Sequence, residues 1–309
     1  MIFEDCMRLL LLFFLVFSSI LEAEEINTQQ AKLETVNLQL KWFHQFQFAG
    51  YYAAKAKGYY QDAGLAVNFI ERSAEINVVR QVVSGATEYG IEDAGLLIPY
   101  ANGEPIRALA AIFQHNPFIF ASKQSSGIVS PYEMLGKRIM FGAVDGIGAD
   151  EVPLMALFAE YGVKENLYTH ITPSFNFTDL AEDKIDVMSG YITDLPYYFQ
   201  QQGIKINIIN PLNYGIDFYG DLLFTSEKEL KEHPDRANRF LKASLKGWQY
   251  ALENSEEIIQ LIHGSYSSRL NLDALRYEAK QIKRLILADS IPLGEIRVER
   301  LKQVANIHA

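Results

Sequence analysis

The order in which hydrophobic patterns change along the chain limits the fold more than any other feature. Short apolar β-type runs alternate with helix-length segments from Val36 to Thr225, and from Glu227 to His308 only helical patterns follow. The strand candidates are 36–40, 65–70, 89–91, 106–113, 118–121, 138–141, 168–171, 185–188, 206–209 and 222–225. Helix candidates lie near 47–57, 75–84, 94–102, 149–161 and 194–202, then at 227–232, 235–254, 256–264, 272–287 and 297–308. Such alternation lays strands side by side under covering helices, which predicts an α/β architecture with mixed, mostly parallel sheets and a helical C-terminal region. With 49% hydrophobic and 12% aromatic residues, the chain carries enough apolar material for packed cores and does not read as disordered.

The stretch from Gly127 to Pro211 reads as an α/β unit of its own. It opens at the turn-rich Ser125-Ser126-Gly127 and closes at Asn210-Pro211. The expected organisation is therefore two lobes, residues 36–126 with 212–309 in the first and 127–211 in the second. Two crossing segments would form a hinge, with a small-molecule cleft between the lobes.

Ahead of these lobes, Leu9 to Phe17 is an unbroken apolar run followed by Ser18, Ser19, Ile20, Leu21, Glu22 and Ala23. It is too short for a spanning helix and fits the core of a signal peptide over residues 1–23, which predicts export to the periplasm. Glu4 and Asp5 are wrong for the positive segment that precedes such a core, whereas Met7 and Arg8 suit it, so translation from Met7 is the alternative start. The single cysteine, Cys6, falls in this leader and allows no internal disulfide or cysteine-based zinc cage. A formal net charge of -10, with no basic patch, excludes nucleic acid and anionic membrane surfaces as partners.

The usual catalytic signatures are missing. There is no G-x-S-x-G, H-E-x-x-H or P-loop, Gly146-Ile147-Gly148 lacks the third glycine of a dinucleotide fingerprint, and the six histidines are scattered. Two local features stand above that background. The run from Trp42 to Tyr52 (WFHQFQFAGYY) follows the first strand and enters a helix rich in small residues. Its start would present backbone N–H groups to the cleft, with Trp42 placed to stack on a planar ligand and Phe46 and Phe48 in the core. The second feature, Tyr214 to Asp221 (YGIDFYGD), puts tyrosines and carboxylates at the return crossing. With Asp93 and Asp194, it predicts a cleft richer in acceptors than donors and a ligand carrying N–H groups or positive charge.

The segments LQLKWFHQFQFAGYYAAKAKGYYQDAGL, VVSGATEYGIEDAGLL, GEPIRALAAIFQ, LGKRIMF and YGIDFYGDLLFTSEKELKEHPDRANRFLKASLKGWQYAL, in this order, resemble the thiamine-pyrimidine-synthase-like family. The resemblance spans about Val36 to Ala309 and implies the two-lobed type II periplasmic binding-protein fold. It implies one of three roles: a binding component of an ABC importer for thiamine pyrimidine precursors, a ligand-sensing domain of a membrane signalling protein, or a synthase of the thiamine pyrimidine (hydroxymethylpyrimidine phosphate).

Residue matching tells against the synthase. Glu92 stands where the synthase branch has the lysine that holds pyridoxal phosphate, and Leu96 stands where it has the histidine consumed as substrate. Its glycine-rich phosphate loop matches Ala143-Val144-Asp145-Gly146, and its cysteine motif has no counterpart after Cys6. Trp42 matches the family's cleft tryptophan, and Phe48 replaces a histidine found in other members. Sulfonate-binding proteins share the fold, but the acidic 214–221 segment argues against an anionic ligand.

The expectation is thus a monomeric, non-enzymatic periplasmic binding protein for a small planar nitrogen heterocycle, with a thiamine pyrimidine precursor favoured. No cofactor or metal is expected, and the partner is an ABC permease or, in the sensor reading, a signalling protein. The candidate ligand residues are Trp42, Gln47, Asp93, Asp145, Tyr191, Asp194, Tyr214, Asp217 and Tyr219.

Overall fold

Val36 and Leu38 alternate with Asn37, and this period of two sends one face of the first strand into the core. A computed structural model describes residues 33–73, 76–142, 151–174, 176–286 and 291–307. The expected leader at 1–23, with Cys6 and the Met7 start, and Asp145 with its loop lie outside the described residues.

The strands are β1 Glu34–Gln39, β2 Leu65–Ile70, β3 Tyr89–Glu92, β4 Ile106–Ala111, β5 Phe118–Lys123, β6 Arg138–Met140, β7 Thr169–Ile171, β8 Val187–Tyr191, β9 Ile206–Ile209 and β10 Leu222–Ser226. They form two sheets of five, in the orders β2-β1-β3-β10-β4 and β7-β6-β8-β5-β9. β1 pairs parallel to β3, and β6 pairs parallel to both β7 and β8. The strands that follow a crossing run the other way: β5 is antiparallel to β8 and β9, and β10 to β3 and β4. β5 therefore belongs to the second sheet, and the first crossing is Ile112 to Pro117. This corrects the boundary expected near Ser126, where the turn-forming residues only end β5 in the short 3-10 turn Gln124–Ser126.

The first lobe is built around a close helix crossing. Helix Ala49–Ala56 packs on helix Pro234–Glu253, with Trp248 fully buried between them. A Cβ on Gly247 would stand 2.1 Å from the carbonyl oxygen of Gly50, so only glycine allows the backbones to come this near. Phe46 and Phe48 are wholly buried in the same core. Phe240 stacks on Tyr89 at 4.0 Å and 8° between planes, fixing the long helix against the sheet. In the second lobe Phe120, Phe141 and Phe158 fill one face of the sheet, and Met140, Met188, Leu195 and Phe199 fill the other.

The crossing segments lie side by side. The carbonyl of Asp221 accepts from the amides of Ile112 (2.8 Å) and Phe113 (3.2 Å), and the amide of Gly220 donates to Phe113 at 3.0 Å. Arg300, from the helix Val298–Ile307, donates to the carbonyl of Gln114 at 2.7 Å and pairs with Asp217 at 3.0 Å, so one guanidinium grips both crossings.

Candidate functional site

The carboxyl ends of parallel strands leave backbone groups and side chains pointing into open space, and here two such edges face one another. Lys41, Trp42, Gln45 and Gln47 follow β1, and Arg72 follows β2. Gly142 follows β6, Pro173 and Phe177 follow β7, and Ser189, Gly190, Tyr191 and Asp194 end or follow β8. With Phe118, Met140, Glu151 and Met188 they enclose a cavity of about 120 Å³. One water needs roughly 15 Å³ by this measure, so the space suits a ring-sized ligand.

On the first-lobe side, Trp42 is half-buried, with the Arg72 guanidinium 5.0 Å from its ring centroid and Phe43 edge-on at 5.3 Å. Lys41 is 7% exposed; its Nζ donates to Asp93 Oδ2 at 3.2 Å, lies 3.8 Å from Glu92 Oε2 and sits 6.0 Å from the Tyr191 ring across the cleft. Tyr191 stands edge-to-face on Phe118 at 4.6 Å. On the second-lobe side Glu151 accepts from the Ser189 hydroxyl at 2.6 Å and from the amide of Gly142.

Behind the cavity lies a set of buried charges. Glu278, 1% exposed, accepts the amides of Phe46 and Gln47 at 2.9 Å each. These are the helix-start N–H groups expected to face the cleft; a carboxylate from the distant helix Leu272–Ile286 takes them instead, because a buried helix end needs a partner and anionic charge is favoured there. Burial pushes the Glu278 carboxyl well above its ordinary range. The charge of Asp194 adds to this, while the two amides and Arg269 oppose it. Burial likewise raises Asp194, to about 6, against the pull of Arg269 and Thr193.

The structure brings Trp42, Gln47, Tyr191 and Asp194 together around the cavity. Asp93 is wholly buried, capping Gly95 at 2.8 Å and holding Lys41, so it anchors a lining residue rather than lining the space itself. Tyr214, Asp217 and Tyr219 are not cavity residues. Tyr214 packs edge-on against Tyr161 at 5.2 Å, and Asp217 accepts from His115 at 2.6 Å and pairs with Arg300. Tyr219 is buried with Leu96 and Phe224, and its hydroxyl accepts the amide of Arg297 at 2.8 Å. Asp217 is spent on His115 and Arg300 and Asp221 on Gln47, so neither carboxylate of 214–221 faces a ligand directly.

Lys41, Arg72, Gln45 and Glu151 were missed from the sequence. Lys41 and Gln45 flank Trp42 and could have been found by treating every residue after the first strand as cleft-facing; no local signal marks Arg72 or Glu151. The cleft thus carries both cations and carboxylates, not chiefly acceptors. Among the described residues no group of three or more His, Cys, Asp or Glu is placed to hold a metal ion, and no helix is long and apolar enough to cross a membrane.

The chain is 27% identical over 273 residues to the riboflavin-binding protein RibY of Chloroflexus aurantiacus, across 86% of this chain and 74% of that one. It is 23% identical over 237 residues to the formylaminopyrimidine-binding protein of Halalkalibacterium halodurans, across 74% and 70%. Pyrimidine phosphate synthases are also among its relatives. The periplasmic aliphatic sulphonate binding protein SsuA of Escherichia coli superposes with a TM-score of 0.67 at 13% identity, over 89% of this chain and 86% of that one, a likeness of fold alone. That fold is the two-lobed type II periplasmic binding-protein fold. The family model described as NMT1/THI5 like matches residues 45–258, more than half of the sequence, and the chain belongs to that family.

Proposed function

We propose that the protein is an exported solute-binding component of an ABC importer that closes its lobes around a small planar nitrogen heterocycle, with a thiamine pyrimidine precursor as the favoured ligand. The observation that carries this is a cavity shared by the two lobes, with Trp42 on one wall, Tyr191 on the other, and amides and charges of both signs between them. Aromatic walls reward a flat ring, and mixed polar groups reward one with both donors and acceptors on its edge. Ligand binding drives closure because both lobes contribute contacts, so the closed state binds better than the open one. Relatives named for binding riboflavin and formylaminopyrimidine support the heterocycle.

The same residues argue for binding without catalysis. Leu96 is buried among Val78, Val82 and Phe224, away from the cavity, and Glu92 sits beside Lys41. Neither can do the work of the lysine or histidine that the synthase reaction requires. Purified protein mixed with pyridoxal phosphate is expected to show no saturable one-to-one Schiff-base absorbance above the background of its surface lysines.

The test is calorimetric titration with 4-amino-5-hydroxymethyl-2-methylpyrimidine, formylaminopyrimidine and riboflavin, followed in parallel by tryptophan fluorescence. The other tryptophan, Trp248, is 0% exposed in the helix crossing, so a ligand-dependent change reports Trp42. Saturable binding that Trp42→Ala weakens at least tenfold is expected, on the scale of a lost aromatic contact of about 1.4 kcal/mol. Binding of an alkanesulfonate in place of all three heterocycles would overturn the proposal.

A further inference from the structure

Gln45, Gln47 and Asp221 are 1%, 2% and 1% exposed, and both glutamines line the cavity. Arg269 reaches in from the loop after helix Ser255–Ser265, and its Nη2 donates to Gln45 Oε1 at 2.6 Å. Gln45 Nε2 donates to Gln47 Oε1 at 3.1 Å, and Gln47 Nε2 donates to both oxygens of Asp221, at 3.0 and 2.9 Å. Amide oxygen and nitrogen are usually hard to tell apart, but here the two ends decide. A guanidinium can only donate and a carboxylate can only accept, so each amide has one orientation. Turning either glutamine round would set like poles against each other in buried surroundings.

We propose that this charge-terminated pair is the specificity element of the site and reads the ligand by its edge. Among the capacities these bonds leave open are the second hydrogen on Gln45 Nε2 and the second lone pair on Gln47 Oε1, at the link between the two amides. The pair therefore offers a donor beside an acceptor and selects a heterocycle whose edge carries an acceptor beside an N–H donor. A ring nitrogen next to an amino group has that edge, and so does a lactam carbonyl next to its N–H. Aminopyrimidines and flavins share it, which lets one site type serve both. Arg269 and Asp221 act as positioning residues, since they fix the amides and need not touch the ligand. The inference rests on the heterocycle-binding reading.

The test compares two probes of one shape: 4-amino-5-hydroxymethyl-2-methylpyrimidine and the analogue in which a methyl group replaces the 4-amino group. The parent is expected to prefer the amino compound by about tenfold or more, because the analogue leaves Gln47 without its donor. Either charged end alone still orders the pair, because each amide sets its neighbour, so only the double variant Arg269→Met/Asp221→Asn lets both amides invert, and it should erase that preference while keeping weaker binding to both probes. Arg269→Met and Asp221→Asn alone should each narrow the preference, Arg269→Lys, which still donates, should retain it, and the single variants stand in if the double one does not fold. The Gln47 side-chain amide protons, assigned by NMR, should move on Asp221→Asn without ligand. A parent that binds both probes equally, or a double variant, or in its place both single variants, that keeps the parental ratio, overturns the inference alone. A parent that binds no heterocycle overturns the reading beneath it and the inference with it.

Discussion

The two lobes follow one plan and are finished to different standards. Each sheet places its first strand between its second and third, then a strand that enters after a crossing, then its fourth. On this shared plan the first lobe receives a helix of 20 residues and a backbone crossing that admits no side chain, whereas the longest helix among the described residues of the second lobe, Val152–Glu160, has 9 residues. Large apolar residues stand exposed in both lobes, Tyr132, Val129 and Met155 of the second at 61%, 55% and 45% and Val298 and Tyr100 of the first at 55% and 50%, so the difference lies in the helices and not in the surface. The contrast assigns different work to the halves. The first lobe is a rigid platform that holds Gln45, Gln47 and Glu278 out of solvent; the second brings strand-end groups such as Ser189 and Tyr191 up to it.

The sharpest test of that contrast is a single added methyl group in each lobe. Gly247→Ala drives a Cβ against the Gly50 carbonyl and the Ala54 backbone, which cannot move without separating the helices, and it should cost about 3 kcal/mol, the upper end for overpacking. Gly190→Ala meets Leu195 Cδ1 at 2.4 Å and Cγ at 2.8 Å, side-chain atoms that can shift where a backbone cannot, and should cost less, about 1 kcal/mol. Urea unfolding without ligand measures both, and equal costs would break the contrast.

A smaller effect belongs to the charges between the lobes. Asp194 holds its proton more tightly in the folded state, up to about 6, than in the unfolded chain. Its contribution to stability is therefore full below about pH 4 and is lost as pH rises toward 6. Asp194→Asn removes this loss, so the variant should gain on the parent across that window, by up to about 2 kcal/mol, and the difference should stay flat above it. A pH series of urea midpoints checks the sign; a variant that loses ground as pH rises would refute it.

The smallest effect concerns the hinge. Arg300→Gln releases the grip on Gln114 and Asp217 while leaving both lobe cores intact. Ligand affinity should shift by about three- to tenfold, within the usual range for coupling between a remote contact and a binding equilibrium, with little change in the unfolding midpoint. Titration beside small-angle scattering of the unliganded protein would register it, and unchanged affinity with unchanged dimensions would remove Arg300 from the hinge.

Much of the fold was legible because it is written in local patterns. The strand–helix alternation gave all ten strands among the described residues to within a few positions, and the small residues Ala49, Gly50, Ala53 and Ala54 already marked a helix that something must approach closely. The site was legible only where a residue directly follows a strand, as Trp42 does. Partners far along the chain decided the rest. Glu278 closes the helix start from 232 residues away, and Asp217 turns to His115, 102 residues away, rather than to the cleft. A cluster of carboxylates in sequence carries no mark of which side of a hinge it will face. Lys41 was passed over because a lysine beside a strand reads as surface until Asp93 and Tyr191 are seen to enclose it.

The placement of β10 also bears on the order in which the molecule can be made. The second lobe's sheet is drawn from one continuous stretch, residues 118–209, and can close as soon as that stretch is available. The first sheet cannot: β10 belongs between β3 and β4, so a growing chain has a gap there until Leu222–Ser226 arrives. The half that begins first in the sequence is thus completed last, and the sheet inserted in its middle is the earlier of the two to have all its strands.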